Sequence, residues 1–168
     1  MIAFFEQRTA EHINRVRKNL AALAPVTLYG DTLIERGKQH DASKYSPKEF
    51  LPYVWLGEYH RCRHRNIPFT YPDEVKEAVM AAIDHHFTHN RHHVEYHTDP
   101  NDMTEIDLIE MVCDWTAMSQ EFNQNGGSCR AWADKVIGER YVFTVEKRTF
   151  IYTIIDLLDE QLGQVKAE

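Results

Sequence analysis

The chain alternates between segments whose apolar residues recur at helical spacing and short polar breaks. Over residues 3–23 this spacing predicts a helix with one buried face. The face consists of Phe5, Val16, Leu20 and Leu23, and His12 falls on the same stripe. His12 is therefore expected to point towards the core.

Polar breaks and caps divide the next part of the chain into further helices. One helix, over about residues 27–36, is expected to stop at Gly37, a residue suited to a left-handed helix end. Residues 46–49, Ser-Pro-Lys-Glu, have the order of a helix start, with an N-cap serine and a glutamate three positions later. A helix that opens at Pro72 is predicted to run through Ala82, and a histidine cluster follows. The cluster comprises His85, His86, His89, His92, His93 and His97.

The second half of the chain continues the helical pattern. A cap formed by Thr104 and Asp107 opens one helix, and a short helix is predicted from Cys129. Residues 125–128, Asn-Gly-Gly-Ser, are the clearest loop. Residues 150–162 carry apolar side chains every four positions and form the last helix. The few β-branched runs are too short and isolated to make a sheet, so the predicted fold class is all-α.

Composition narrows the class of protein. The 168 residues fit a single domain, residues 1–168, that is long enough to bury its own core. With 19 Lys and Arg against 26 Asp and Glu, the net charge is -7, which disfavours binding to a nucleic-acid polymer or an anionic membrane. The three cysteines lack zinc-finger spacing and are expected to be free thiols. No secretory or membrane-spanning segment is recognisable, so we expect a cytoplasmic protein, and a homo-oligomer is left open.

Histidine and aspartate carry the candidate chemistry. His40 and Asp41 are adjacent and Lys44 follows, so an imidazole, a carboxylate and an ammonium can meet a metal and an anion within one turn. Asp114 lies beside the buried side of a late helix, although the plain alternative for it is a solvated face shared with Asp107, Glu110 and Glu121. Nitrogen and oxygen ligands of this kind suit Mn, Fe, Co, Ni or Zn and do not choose among them.

The ordered set of His12, His40, Asp41 and Asp114 resembles the HD superfamily of metal-dependent phosphohydrolases. The resemblance implies a compact helical bundle in which these four side chains hold a divalent transition metal. It further implies a catalytic role for Asp41 and activity on a small phosphorylated metabolite, with a nucleotide as the leading candidate. A metal-activated water would attack phosphorus.

Binuclear members of that superfamily take additional histidines from the segment between the HD pair and the final aspartate. By this resemblance His86 and His92 would complete a second metal site, which gives one or two ions in total. Neighbouring histidines in an extended segment point to opposite sides, so His93 is expected to be structural or to bind substrate. Lys44, with a catalytic and substrate-binding role, and Arg91 are the candidates for binding phosphate.

The whole chain also resembles an uncharacterised bacterial and phage family with three sequence blocks. The blocks HDxSKxSPxEF, HxxxNxHHxEY and EMxxDW stand here as residues 40–50, 86–96 and 110–115. This resemblance supports the alignment and supplies no activity. Some nucleotidase-type HD enzymes have a glutamate where this chain has Lys44. An HDxxK pattern is instead similar to the HD-GYP cyclic-dinucleotide phosphodiesterases, whose GYP signature is absent, and to di-iron oxygenases related to myo-inositol oxygenase.

Two alternative functions therefore remain open in addition to phosphohydrolase activity. One is a di-iron oxygenase built on the same helical scaffold. The other is a non-catalytic, metal-stabilised helical adaptor whose histidines serve folding.

Overall fold

Seven α-helices make up most of the part of the chain that the computed structural model describes, residues 1–122 and 128–163. They are α1 Ile2–Leu23, α2 Gly30–Gln39, α3 Phe50–His64, α4 Val75–His89, α5 Glu105–Phe122, α6 Cys129–Val136 and α7 Val145–Gln161. Within these ranges there is no strand, only an isolated bridge between Ile137 and Tyr141. The all-α prediction is confirmed.

The core lies where α1, α5 and α7 pack together, with α2 against α1 and α6 against α5. The face predicted for α1 is buried, since Val16, Leu20 and Leu23 are inaccessible to solvent. Leu158 of α7 is equally buried. The three cysteines are free, as expected, and all three are buried. Helix periodicity alone thus identified the faces that form the core.

The cap predicted from Thr104 and Asp107 is present, and Ser128 provides a further cap that was not predicted. Thr104 N donates to Asp107 Oδ2 and Asp107 N donates to Thr104 Oγ1, a reciprocal pair at the start of α5. Ser128 Oγ accepts from Ala131 N and caps α6. The other residues of the predicted loop, 125–127, lie outside the described residues.

Gly37 does not end α2, as the sequence suggested, but lies inside it. A Cβ atom at this position would lie 3.3 Å from Leu20 Cδ1, and Arg17 Nε donates to the Gly37 carbonyl oxygen over 2.8 Å. Gly37 therefore permits the close approach of α2 to α1. The helix continues to Gln39 and delivers His40 at its end.

The predicted helix start at residues 46–49 is wrong in its detail. The turn begins at Ser46, whose carbonyl oxygen accepts from Glu49 N and Phe50 N, but α3 begins at Phe50 without a side-chain cap. The Glu49 carboxylate does not return to the Ser46 backbone because it accepts hydrogen bonds from His85 and Ser43. The buried Glu49 carboxylate thus forms hydrogen bonds to more distant residues in place of the capping bond that its position in the sequence predicts.

The helix that opens after Pro72 extends seven residues beyond the predicted end at Ala82, to His89. His85, His86 and His89 are consequently helical, and only His92 and His93 lie in the following turn. None of the helices in the described ranges is long and apolar enough to span a membrane.

We expect Gly30→Ala to destabilise the fold. A Cβ atom at Gly30 would lie 2.8 Å from the Ala24 carbonyl oxygen, a backbone atom that cannot move aside, so we expect a loss of about 1–3 kcal/mol in the free energy of unfolding. Gly57→Ala is the matched control, because its Cβ would meet only Phe4 Cδ1 at 4.0 Å inside α3 and should add about 0.5–1 kcal/mol. Urea denaturation of both variants checks this, and a Gly30→Ala variant as stable as the parent would contradict it.

Candidate metal centre

The buried carboxylate of Asp41 stands between two pairs of imidazoles. Its Oδ2 lies 3.5 Å from His12 Nε2 and 3.7 Å from His40 Nε2. Its Oδ1 lies 3.3 Å from His86 Nε2 and 3.6 Å from His92 Nε2. The two oxygens of one carboxylate therefore face two different sets of nitrogen donors.

A sharp backbone reversal places the adjacent His40 and Asp41 in this one centre. Helix α2 ends at Gln39, and Asp41 then adopts the left-handed conformation, with φ 58° and ψ 16°. Aspartate is among the few non-glycine residues that tolerate this region. The reversal starts a 3-10 turn, Ala42–Tyr45, that carries Lys44. A non-glycine residue held at positive φ is typical of functional sites.

Asp114 enters the same centre from α5. Its Oδ1 lies 2.9 Å from His12 Nε2 and 3.6 Å from His40 Nε2. Within the described residues, several sets of side chains have possible ligand atoms within 4.8 Å of one another. The sets are Asp41, His86, His92 and His93; His12, His40 and Asp41; and His40, His92 and Asp114. All six predicted metal ligands are thus brought together.

Several polar atoms of this centre are buried without a hydrogen-bond partner in the described structure. They include His40 Nε2, Asp41 Oδ1, His92 Nε2 and His93 Nε2. Burying such atoms unpaired is costly, and a cation among them would satisfy imidazole lone pairs and carboxylate charge at once. The residues therefore fit a divalent metal ion and could hold one.

The protonation of the side chains in this centre is uneven. Burial opposes a charge on His40, but the carboxylates of Asp41 and Asp114 outweigh it and raise the pKa of His40 to about 10. Burial and the neighbouring His40 lower the pKa of His92. Burial and the neighbouring His92 hold the pKa of His93 well below its usual range. His92 and His93 are thus neutral, the state a metal ligand requires.

Two further buried carboxylates orient the imidazoles. Glu110 Oε1 lies 2.9 Å from His40 Nδ1 and 3.4 Å from His92 Nδ1, and Glu49 Oε2 lies 2.9 Å from His86 Nδ1. Because a carboxylate accepts hydrogen bonds, the ring Nδ1–H groups donate and the Nε2 atoms are left facing Asp41.

Sequence reasoning assigned no role at the centre to either glutamate. Glu110 lies one helical turn before Asp114 and thus on the same face, a spacing that could have indicated its role. The alternative of a solvated face is wrong, since Asp107 and Glu110 are buried. Arg36 forms hydrogen bonds to both carboxylates. Its Nε donates to Glu110 over 2.6 Å, and one of its terminal nitrogens donates to Asp107 over 3.0 Å.

The expectation that His92 and His93 point to opposite sides is also wrong. Residues 90–93 form a turn, closed by the bond from His93 N to the Asn90 carbonyl oxygen, rather than an extended segment. The two rings lie 4.2 Å apart between centroids, and both belong to the set around Asp41.

A cavity of about 860 Å³ opens onto the centre. Lys44 and His93 line it, and Lys44 Nζ lies 2.5 Å from Asp41 Oδ2. Arg91 is not brought there: its guanidinium bonds to Asp107 over 3.0 and 3.1 Å and lies over the Tyr96 ring. Of the two predicted phosphate-binding cations, only Lys44 is therefore placed at the cavity.

Comparison with protein families gives a match over most of the chain. The model of a family of unknown function (DUF5662) matches residues 1–157. The searches of curated proteins and of solved structures found no match.

We expect metal uptake to release protons. His40, with its pKa raised to about 10, is protonated at pH 7.5 and must become neutral to bind a metal. The apparent affinity should therefore increase as the pH rises from 6 to 8.5, still below that pKa. Calorimetric titration with Zn²⁺ in two buffers of different ionisation enthalpy measures the protons released, about one from His40. An identical heat in both buffers would contradict the prediction.

We expect Glu110→Gln to weaken metal binding by about 10–100-fold, because the amide orients the His40 and His92 rings less firmly than the carboxylate does. The control is Glu105→Gln on the same helix, where the side chain contacts Tyr29 at the surface. Competition with a chromophoric chelator measures both affinities. Equal affinity in the Glu110→Gln and Glu105→Gln variants, both folded by circular dichroism, would refute the orienting role.

Proposed function

We propose that this chain, which belongs to the family of unknown function DUF5662, is a metal-dependent phosphohydrolase of the HD type. Its substrate would be a small phosphorylated metabolite, with a nucleotide as the leading candidate. The observation that carries the proposal is the Asp41 carboxylate, whose two oxygens face separate histidine pairs at the end of a cavity with an ammonium beside it.

The donor set divides into two groups that share Asp41. His12, His40, Asp41 and Asp114 would hold a first metal, and His86 and His92 would complete a second. Mn, Fe, Co, Ni and Zn are all compatible with these nitrogen and oxygen donors. A bound divalent metal lowers the pKa of water towards neutrality and offsets negative charge on phosphate oxygens.

Lys44 is the residue we assign to the phosphate. Its ammonium lines the cavity next to Asp41 and lies 5.6 Å from the centre of the Tyr53 ring. An ammonium on a flexible stem can pair with a substrate anion as well as with Asp41. In hydrolysis the oxygen of water forms the new bond to phosphorus, the ester P–O bond breaks, and the alcohol leaves with a proton.

His93 is the second chain group that faces the substrate. Its Nε2 is buried without a hydrogen-bond partner in the described structure, and the ring lines the cavity. The neutral imidazole can donate a hydrogen bond to a phosphate oxygen. This supports the substrate-binding role predicted for His93, while its place in the set around Asp41 also makes it a further candidate ligand.

A di-iron oxygenase is the second candidate. The observation that favours it is that the six donor side chains form two groups with Asp41 between them, an arrangement that suits two iron ions as well as two zinc or manganese ions. Dioxygen consumption by the iron-loaded protein, absent when zinc is bound, would favour this candidate over hydrolysis.

We expect the metal-loaded protein to release phosphate from a panel of nucleotides and sugar phosphates. Asp41→Asn should lose metal and lower kcat by at least about 10³-fold, since the shared ligand is removed. Lys44→Gln should raise KM by about 10–100-fold with little change in kcat. This fold-change corresponds to the loss of one hydrogen bond between the ammonium and the charged phosphate.

The matched control is Lys38→Gln, which removes an exposed ammonium paired with Glu35. It should leave both constants unchanged. A protein that contains metal but releases no phosphate from any member of the panel would overturn the proposed function.

A further inference from the structure

The cavity extends from the metal centre along the facing surfaces of α1 and α5. His12 contacts Asp114 at one end, and Arg8 Nε lies 2.5 Å from Glu121 Oε1 further along. Asp114 and Glu121 are seven positions apart, which is about 10 Å along the helix axis. The space is thus bounded by the metal centre at one end and by an ion pair at the other.

Most of the wall between these two ends is apolar, although Thr9, His60 and Ser119 also line it. Trp115 and Met118 of α5 line it, with Phe5 of α1 and Leu56 of α3. Met118 is 38% exposed and Trp132, from α6, is 41% exposed. Since both side chains line the cavity, this apolar surface is available to a ligand inside it.

The charged groups along the wall already have partners. Glu95 Oε1 accepts from an Arg140 guanidinium nitrogen over 2.7 Å and from the Tyr141 hydroxyl over 2.8 Å. Arg8 is paired with Glu121. A polyol would find few uncommitted charged groups here, whereas a ring could cover Trp115 and Met118.

We propose that the cavity selects phosphomonoesters whose organic part is a flat, largely apolar ring system about 10 Å long. The inference rests on the proposed function, which places the phosphate between Lys44 and the metal centre. The volume of about 860 Å³ lies in the range of pockets that enclose molecules of this size and is far larger than a three-carbon phosphate needs. The ring would lie between α1 and α5 and bury the exposed faces of Met118 and Trp132.

Calorimetric binding of two phosphonates tests this selection directly. Methylphosphonate and 2-naphthylmethylphosphonate share the head group and differ in the ring, so the ring accounts for the difference in affinity. In the metal-loaded and metal-free protein we expect the naphthyl compound to bind tighter on the order of 50-fold, as burial of about 100 Å² of apolar surface gives. Equal affinity of the two compounds would overturn the inference.

Paired methionine variants locate the ring. Met118→Gln should reduce the preference for the naphthyl compound by about 5-fold, because a polar side chain replaces apolar contact. Met80→Gln changes a helical methionine that is more exposed, at 59%, and lies outside the cavity lining, and it should leave the preference intact. The same preference in the parent and both variants would contradict the assigned place of the ring.

Turnover separates this inference from the proposed function. The esters 2-naphthylmethyl phosphate and glycerol 3-phosphate both release a primary alcohol, so their intrinsic reactivity is matched. A kcat/KM on the order of 50-fold higher for the naphthyl ester supports the inference, and equal values overturn it while leaving the phosphohydrolase in place. No turnover of either ester counts against the proposed function alone, and the phosphonate affinities then decide the ring site.

Discussion

The arrangement of side chains at the metal centre depends on how the buried negative charge of Asp41 is compensated. This carboxylate is almost inaccessible to solvent, and a bare charge in such surroundings is too costly to keep. The chain surrounds it with Lys44, His40 and His86, and together these cations outweigh the effect of burial and hold the pKa of Asp41 well below its usual range. A cation is therefore required at the centre in any state, as a proton on imidazole or as a metal ion.

Two further carboxylates, Glu110 and Glu49, stabilise the imidazoles around Asp41. Glu110 is buried and ties His40 and His92 to Arg36, and Glu49 ties His86 to His85. The rings of His40, His86 and His92 are thus held between a carboxylate at Nδ1 and the centre at Nε2. Because His40 at the end of α2 contacts Glu110 of α5, and Glu49 just before α3 contacts His86 of α4, the centre also fixes how these helices meet.

Helix-forming patterns were predictable because they are local, and the supporting contacts were not because they join distant segments. The faces of α1 and α7 follow from periodicity, and His12 could be placed inward on that basis. Glu49 matched a capping box in sequence, yet it bonds to His86 37 residues away. Gly37 matched a helix end, but its role is set by contact with α1. The resemblance to HD proteins predicted the six metal-donor side chains that the structure brings together, whereas the bound metal and the reaction are proposals.

Arginine and lysine pair with buried carboxylates in different ways, and this difference explains why Arg91 lies away from the cavity. Asp107 is fully buried and accepts two directed bonds from the planar guanidinium group of Arg91 and one from Arg36, which also donates to Glu110. Removing either would leave a buried charge undercompensated, so neither is available for a transient ligand. Lys44 has a single compact charge on a flexible stem, and its Nζ can exchange Asp41 for another anion without loss of a bidentate pair. The buried Asp41 is therefore balanced by a lysine at the cavity, whereas Arg36 and Arg91 balance the buried Asp107 away from the cavity lining.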